Sequence, residues 1–132
     1  MRVRTLGSVM VALGVLLAAT SVLAHHSFSA EYDVTKPVTV EGLVTKIEWM
    51  NPHAYFYINV RDENGDVTNW ALEMGAPGAL QREGWTRNTL QIGDMVKVEG
   101  TLARDGSKRA NARNVYKGGK KMGAASSEGQ GK

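Results

Sequence analysis

The chain of 132 residues contains no cysteine. That excludes disulfides, thiolate metal sites and lipid attachment through an N-terminal cysteine, so a folded domain here rests on its core alone. Histidine is scarce too: three in all, at His25, His26 and His53. A nucleophilic dyad would have to be serine–histidine, and no serine has an informative context. A Gly-x-Ser-x-Gly elbow, a phosphate-binding loop and a His-Glu-x-x-His helix are all missing. The sequence therefore points away from an enzyme. An excess of positive charge is missing where it would matter. The formal net charge is +3 over the whole chain, but His25 to Tyr116 holds ten Lys/Arg against twelve Asp/Glu, a net of −2. A general nucleic-acid binder would carry a basic footprint on its folded part, so that partner is disfavoured.

Long apolar runs occur once, at the N-terminus. Arg2 and Arg4 precede an uncharged, mostly apolar stretch from Leu6 to Ala24, and Val22-Leu23-Ala24 sets small residues where a signal peptidase needs them. We read residues 1–24 as a secretory signal cleaved after Ala24. The alternative is a retained anchor, since the run is nearly long enough to span. Cleavage leaves an exported chain, periplasmic or secreted, with no membrane span. The rest divides into an arm (25–37), one β domain (38–116) and a tail (117–132) whose Gly, Ser and Lys content predicts disorder.

Period-two alternation dominates the domain. Val38, Val40 and Val44 share one face of a first strand, and a slip before Ile47 and Trp49 predicts a bulge. Asn51-Pro52 interrupts pairing. In a second strand, His53 to Arg61, the residues Ala54, Phe56, Ile58 and Val60 face the core, and Tyr55, Tyr57 and Asn59 face out. Asn64-Gly65 supplies a hairpin turn. A third strand, Val67 to Met74, points Trp70, Leu72 and Met74 inward and Asn69 and Glu73 outward. Ala76 to Gly84 reads as one short helix with Leu80 buried, followed by Trp85 as a plug. Two more strands follow, Met95 to Ala103 with Val96, Val98, Gly100 and Leu102 inward, and Arg109 to Tyr116. Gly42 and Gly100, one in each long strand, suit a sharply coiled sheet. The expected fold is mainly β: a small five-stranded OB-like Greek-key barrel with a helix between strands three and four.

The strings His25-His26-Ser27-Phe28, Glu31-Tyr32-Asp33, Asn51-Pro52-His53-Ala54, Asn69-Trp70 and Gly84-Trp85-Thr86-Arg87 resemble, in order, a family of uncharacterised exported bacterial proteins (domain of unknown function 6152). The resemblance covers nearly the whole chain after Ala24. It implies an exported single domain and no assigned activity. More loosely, the strand order is similar to small periplasmic OB-fold proteins, haem chaperones included, but no motif here matches their haem-attachment histidine.

Two groups of residues invite a functional reading. The first is the outer face of strands two and three: Tyr55, Tyr57, Asn59, Asn69 and Glu73. OB barrels take extended ligands over this surface by stacking and hydrogen bonding, which suits a glycan, a peptide or a small periplasmic ligand or protein. Plain cross-strand packing is the competing reading. The second is the histidines. Cleavage after Ala24 gives His25 a free amine beside its imidazole. With His26 and His53 this nitrogen-rich, thiolate-free set favours Cu(II) over Ni(II) or Zn(II), and Glu31 or Asp33 would orient a ring. A solvated terminus is the competing reading. Trp49, Trp70 and Trp85 read as core. Arg82 and Arg87 read as solvated charges beside a helix end, and Lys117, Lys120 and Lys121 as a weakly basic tail.

Overall fold

The computed structural model describes residues 28–128. The segment read as a signal sequence (1–24), His25 and His26 lie outside them. Residues 28–31 make a helical turn. Then come β1 (Tyr32–Glu48), β2 (Tyr55–Arg61), β3 (Val67–Glu73), α1 (Pro77–Arg82), β4 (Met95–Ala103), β5 (Arg109–Lys117) and β6 (Lys120–Gly123). The sheet order is β3-β2-β1-β4-β5-β6, antiparallel throughout, with one further parallel pairing of β3 on β5. The pairings therefore run round a ring, β1-β2-β3-β5-β4, with α1 between β3 and β4. This is the OB-like connectivity expected from the strand order.

The long β1 serves two partners. Its first part pairs with β4 and its last part with β2. Gly42 sits near the changeover, where an added Cβ would overlap the Asn59 carbonyl. At Gly100 a Cβ would overlap the Asn111 carbonyl. Both glycines are thus required by close strand approach, as their spacing suggested. The slip near Ile47 appears as a break in register between Val44 and Lys46. A second break lies opposite Glu99 and Gly100, where β5 carries one extra residue, Arg113. Gly100 and Thr101 are both buried, and Leu102, expected to face in, is only half-buried against the core.

The core gathers Val44, Phe56, Ile58, Leu72, Val98 and Val115 from the five ring strands, all at most 1 % exposed. Burying side chains of this size contributes about 1.5–3 kcal/mol each. Pro77 at the helix start and Gly84 at φ +92° after its end bound α1, and Leu80 points inward from it. Trp85 is buried, with its indole N–H donating to the Gly123 carbonyl at 2.6 Å.

Several boundaries differ from expectation, and β2 begins at Tyr55 with His53 in the turn ahead of it. β1 begins at Tyr32, not Val38, because Tyr32 is anchored to the sheet: Phe28, Tyr32 and Ala103 form a small second cluster. The tail is corrected as well. Residues 117–128 are ordered rather than disordered: Gly118 and Gly119 turn the chain at positive φ, and β6 pairs with β5. Ala124 and Ala125 are buried, and the Ala124 carbonyl accepts from the Gly75 N–H at 2.9 Å. This segment docks through its backbone and through alanines small enough for close contact, so it needs no apolar period.

Candidate functional site

The β2–β3 register pairs Tyr55 with Glu73, Tyr57 with Ala71 and Asn59 with Asn69. Alternate residues of a strand share a face, so the five residues predicted as a ligand surface do lie on one face. They do not form one site. At one end, the Asn69 amide donates to Asn59 Oδ1 at 2.9 Å and to Thr45 Oγ1 at 3.1 Å. In the middle, Tyr57 donates to Glu48 at 3.1 Å, and Lys46 pairs with Glu48 at 2.6 Å and stands 5.3 Å from the Tyr57 ring. The Lys46 ammonium, followed by the Tyr57 hydroxyl, holds the Glu48 carboxyl below its usual range.

The other end is sealed. Glu73 is 3 % exposed and was expected to face ligand. Its Oε2 accepts from Tyr32 and from Tyr55, both at 2.7 Å. Its Oε1 lies 3.3 Å from His53 Nδ1 and accepts from the Asn111 amide at 3.5 Å. Burial first, then the hydrogen bond to the Glu73 carboxylate, pushes the Tyr32 and Tyr55 phenols well above their ordinary range. Arg109, its guanidinium 5.3 Å from the Tyr32 ring, opposes that rise. Asn111 passes the network on by accepting from the Ser126 hydroxyl, and Glu128 accepts from Thr101 at 2.9 Å. His53, with its side chain 38 % exposed, carries the network towards solvent. Nδ1 is the ring nitrogen that faces the carboxylate, and Nε2 is turned away from it.

A groove of about 440 Å³ opens at the Asn59 end, lined by Glu41, Gly42, Leu43, Asn59, Arg61, Val67 and Met95. Leu43, Val67 and Met95 are 46 %, 49 % and 54 % exposed. The sequence carried a signal for it, three apolar residues at outward-facing strand positions. Tyr32 and Asn111 left no comparable signal as site residues. Asn111 meets Glu73 only because β3 and β5 pair in parallel.

The remaining candidates scatter. Arg82 and Arg87 are exposed on either side of Trp85. Lys117 pairs with Asp94 at 2.8 Å, while Lys120 and Lys121 are exposed on β6. Trp70 and Trp85 are core, and Trp49 is half-buried against it. Among the described residues no three His, Asp or Glu side chains gather to hold a metal ion, and no helix is long and apolar enough to cross a membrane.

The fold and these clusters define a β-rich, OB-like domain without an assigned chemistry. The chain belongs to the Family of unknown function (DUF6152), whose model matches residues 12–112. No curated protein matches it. Among solved structures it is similar to Rim1, a mitochondrial single-stranded DNA binding protein from S. cerevisiae, at 13% identity over 62% of this chain and 93% of that one, TM-score 0.48. It is also similar to the N-terminal domain of PriB protein from Thermoanaerobacter tencongensis, at 19% identity over 63% and 96%, TM-score 0.45. At these identities neither match assigns this chain a ligand.

Proposed function

We propose that this protein is an exported, non-catalytic OB-like barrel that binds a periplasmic ligand on the outer face of β2 and β3. The observation that carries the reading is the groove beside the Asn59–Asn69 pair. It joins apolar walls from Leu43, Val67 and Met95 to the amide of Asn59 and the charges of Arg61 and Glu41. Ligand sites combine mostly apolar lining with a few placed polar groups. The ligand class that fits is a short glycan or peptide with apolar surface and neutral hydrogen-bonding groups. Of the expected residues, Asn59 lines this groove and Asn69 braces it by a hydrogen bond, while Tyr57 is engaged with Glu48 and Tyr55 with Glu73. The acidic balance of the domain disfavours nucleic acid. The test is an NMR titration of 15N-labelled protein with short oligosaccharides and peptides. Shifts at the amides of Leu43, Asn59, Val67 and Met95, lost in Asn59→Ala/Asn69→Ala, support it. Binding that maps elsewhere, or no binding at all, removes it.

A second reading is a Cu(II) protein using His25, His26 and His53. One observation favours it: the first described segment and His53 meet at one carboxylate, since Phe28 packs on Tyr32 at 5.2 Å between ring centroids and Tyr32 and His53 both reach Glu73. Three residues of chain from Phe28 back to His25 reach roughly 10 Å. Cu(II) titration of a chain starting at His25, beside one with a single residue added in front, tests it. One-to-one binding lost on extension supports a terminal site. Equal weak binding by both rejects it.

A further inference from the structure

Glu73 stands apart from the groove, at the end of the β2–β3 ladder beside His53. Each of its oxygens serves a different element. Oε2 holds Tyr32, the first residue of β1, and Oε1 faces His53, in the turn ahead of β2. The chain before Tyr32 is attached as a strap. Its apolar anchor is the small Phe28–Tyr32–Ala103 cluster, separate from the main core. Its other ties are to the β4–β5 hairpin. The Arg104 backbone N–H donates to the Glu31 carbonyl at 2.8 Å, its Nε to the Ser29 carbonyl at 2.9 Å, and Arg109 meets Glu31 at 3.3 Å. Behind the strap lies a hinge. From Tyr32 to Pro37, β1 bulges out across a step that β4 covers from Ala103 to Thr101. Residues 34–36 are exposed, and Asp33 Oδ1 bonds locally to Thr35. A segment with a satellite cluster and an exposed hinge belongs to the low-stability end of a fold.

We propose that Glu73 is a latch that couples this strap to His53. With the strap down, Tyr32 and Tyr55 fix the carboxylate, and the carboxylate fixes the His53 ring with its proton on Nδ1 and its Nε2 lone pair towards solvent. With the strap up, Glu73 loses a partner and its cover, water reaches Oε1, and the His53 ring is free to rotate and change tautomer. The position of the chain's N-terminal segment is thereby reported at an imidazole on the surface. Glu73 acts here as a positioning residue. The coupling holds whether or not a ligand binds the groove or a metal binds His53.

The test uses 15N-labelled full-length protein without added ligand and reads two quantities: backbone hydrogen exchange at residues 29–32, and the ring-nitrogen shifts of His53, assigned with His53→Gln. Phe28→Ala weakens the strap without touching Glu73. Tyr32→Phe removes only the shared hydroxyl and serves if Phe28→Ala does not fold. The expected result is strap exchange faster by about tenfold, with the His53 nitrogens leaving the Nδ1–H pattern in the same variant. Faster strap exchange with unchanged His53 nitrogens overturns the proposal. So does strap exchange that stays at the wild-type rate in both variants, or a wild-type His53 with its proton on Nε2.

Discussion

At one end of the β2–β3 ladder Asn59 faces Asn69; at the other Tyr55 faces Glu73. Both are polar cross-strand pairs on the same face of the same two strands. The amides sit at the edge of an open groove and keep contact with water. The phenol and carboxylate are covered by the start of β1, and each must find its hydrogen bonds inside the protein. The difference comes from what lies above the sheet, not from the pairing itself. Under cover, an unmatched polar group costs its full desolvation, so the sealed end carries a network of six side chains, from His53 to Ser126, where the open end needs only three.

The contrast is broken most severely at Glu73. Glu73→Ala leaves two phenols, an imidazole and an amide without their acceptor, and we expect a loss of about 2–4 kcal/mol in urea unfolding. Glu73→Gln keeps an acceptor and should lose about half as much. Next, Tyr55→Phe should cost about 1 kcal/mol, measured in the same way.

Alkaline pH sharpens the comparison. The phenols of Tyr32 and Tyr55 are raised by burial and by Glu73, so the folded state binds their protons more tightly than the unfolded chain does. Their contribution is complete below the unfolded phenol value near 10 and falls as pH rises above it. Phenolate absorbance should therefore show both tyrosines ionising late, together with unfolding. Tyrosines that titrate near pH ~10 in a folded protein would contradict this account. The smallest effect belongs to the open end: Asn59→Ala or Asn69→Ala should change stability by no more than about 0.5 kcal/mol.

Much of the fold was legible in sequence because it is written in alternation. Ala54, Phe56, Ile58, Leu72 and Met74 fell on the core side as expected, and Gly42 and Gly100 marked the strand crossings. Leu102 packs against the core as expected but is only half-buried, while its outward neighbours Thr101 and Ala103 are buried beside Glu128 and the Phe28–Tyr32 pair, cover that no apolar period announces. The tail was misread because its order comes from backbone pairing and from Gly75, Ala124 and Ala125 in close contact, while composition reports only side chains. The outer face was legible as a face but not as separate clusters. Whether Glu73 meets ligand or Tyr32 depends on where a segment forty-one residues away in sequence lies down. Asn111 depends likewise on the β3–β5 closure, which is non-local and leaves no mark in β5 beyond a polar residue among alanines.

The bond from the Trp85 indole to the Gly123 carbonyl has a practical side. Indole emission responds to the polarity of its surroundings and to its hydrogen bond, so Trp85 is a native optical reporter on the docking of β6. Ala125 is fastened nearby, its N–H donating to Glu83 at 3.1 Å just beyond α1. A chain shortened to Lys117 would uncover the tryptophan along with the surface that Ala124 and Ala125 occupy. Anyone trimming or tagging this protein should treat residues 118–128 as a structural part of the domain, not as a spare handle.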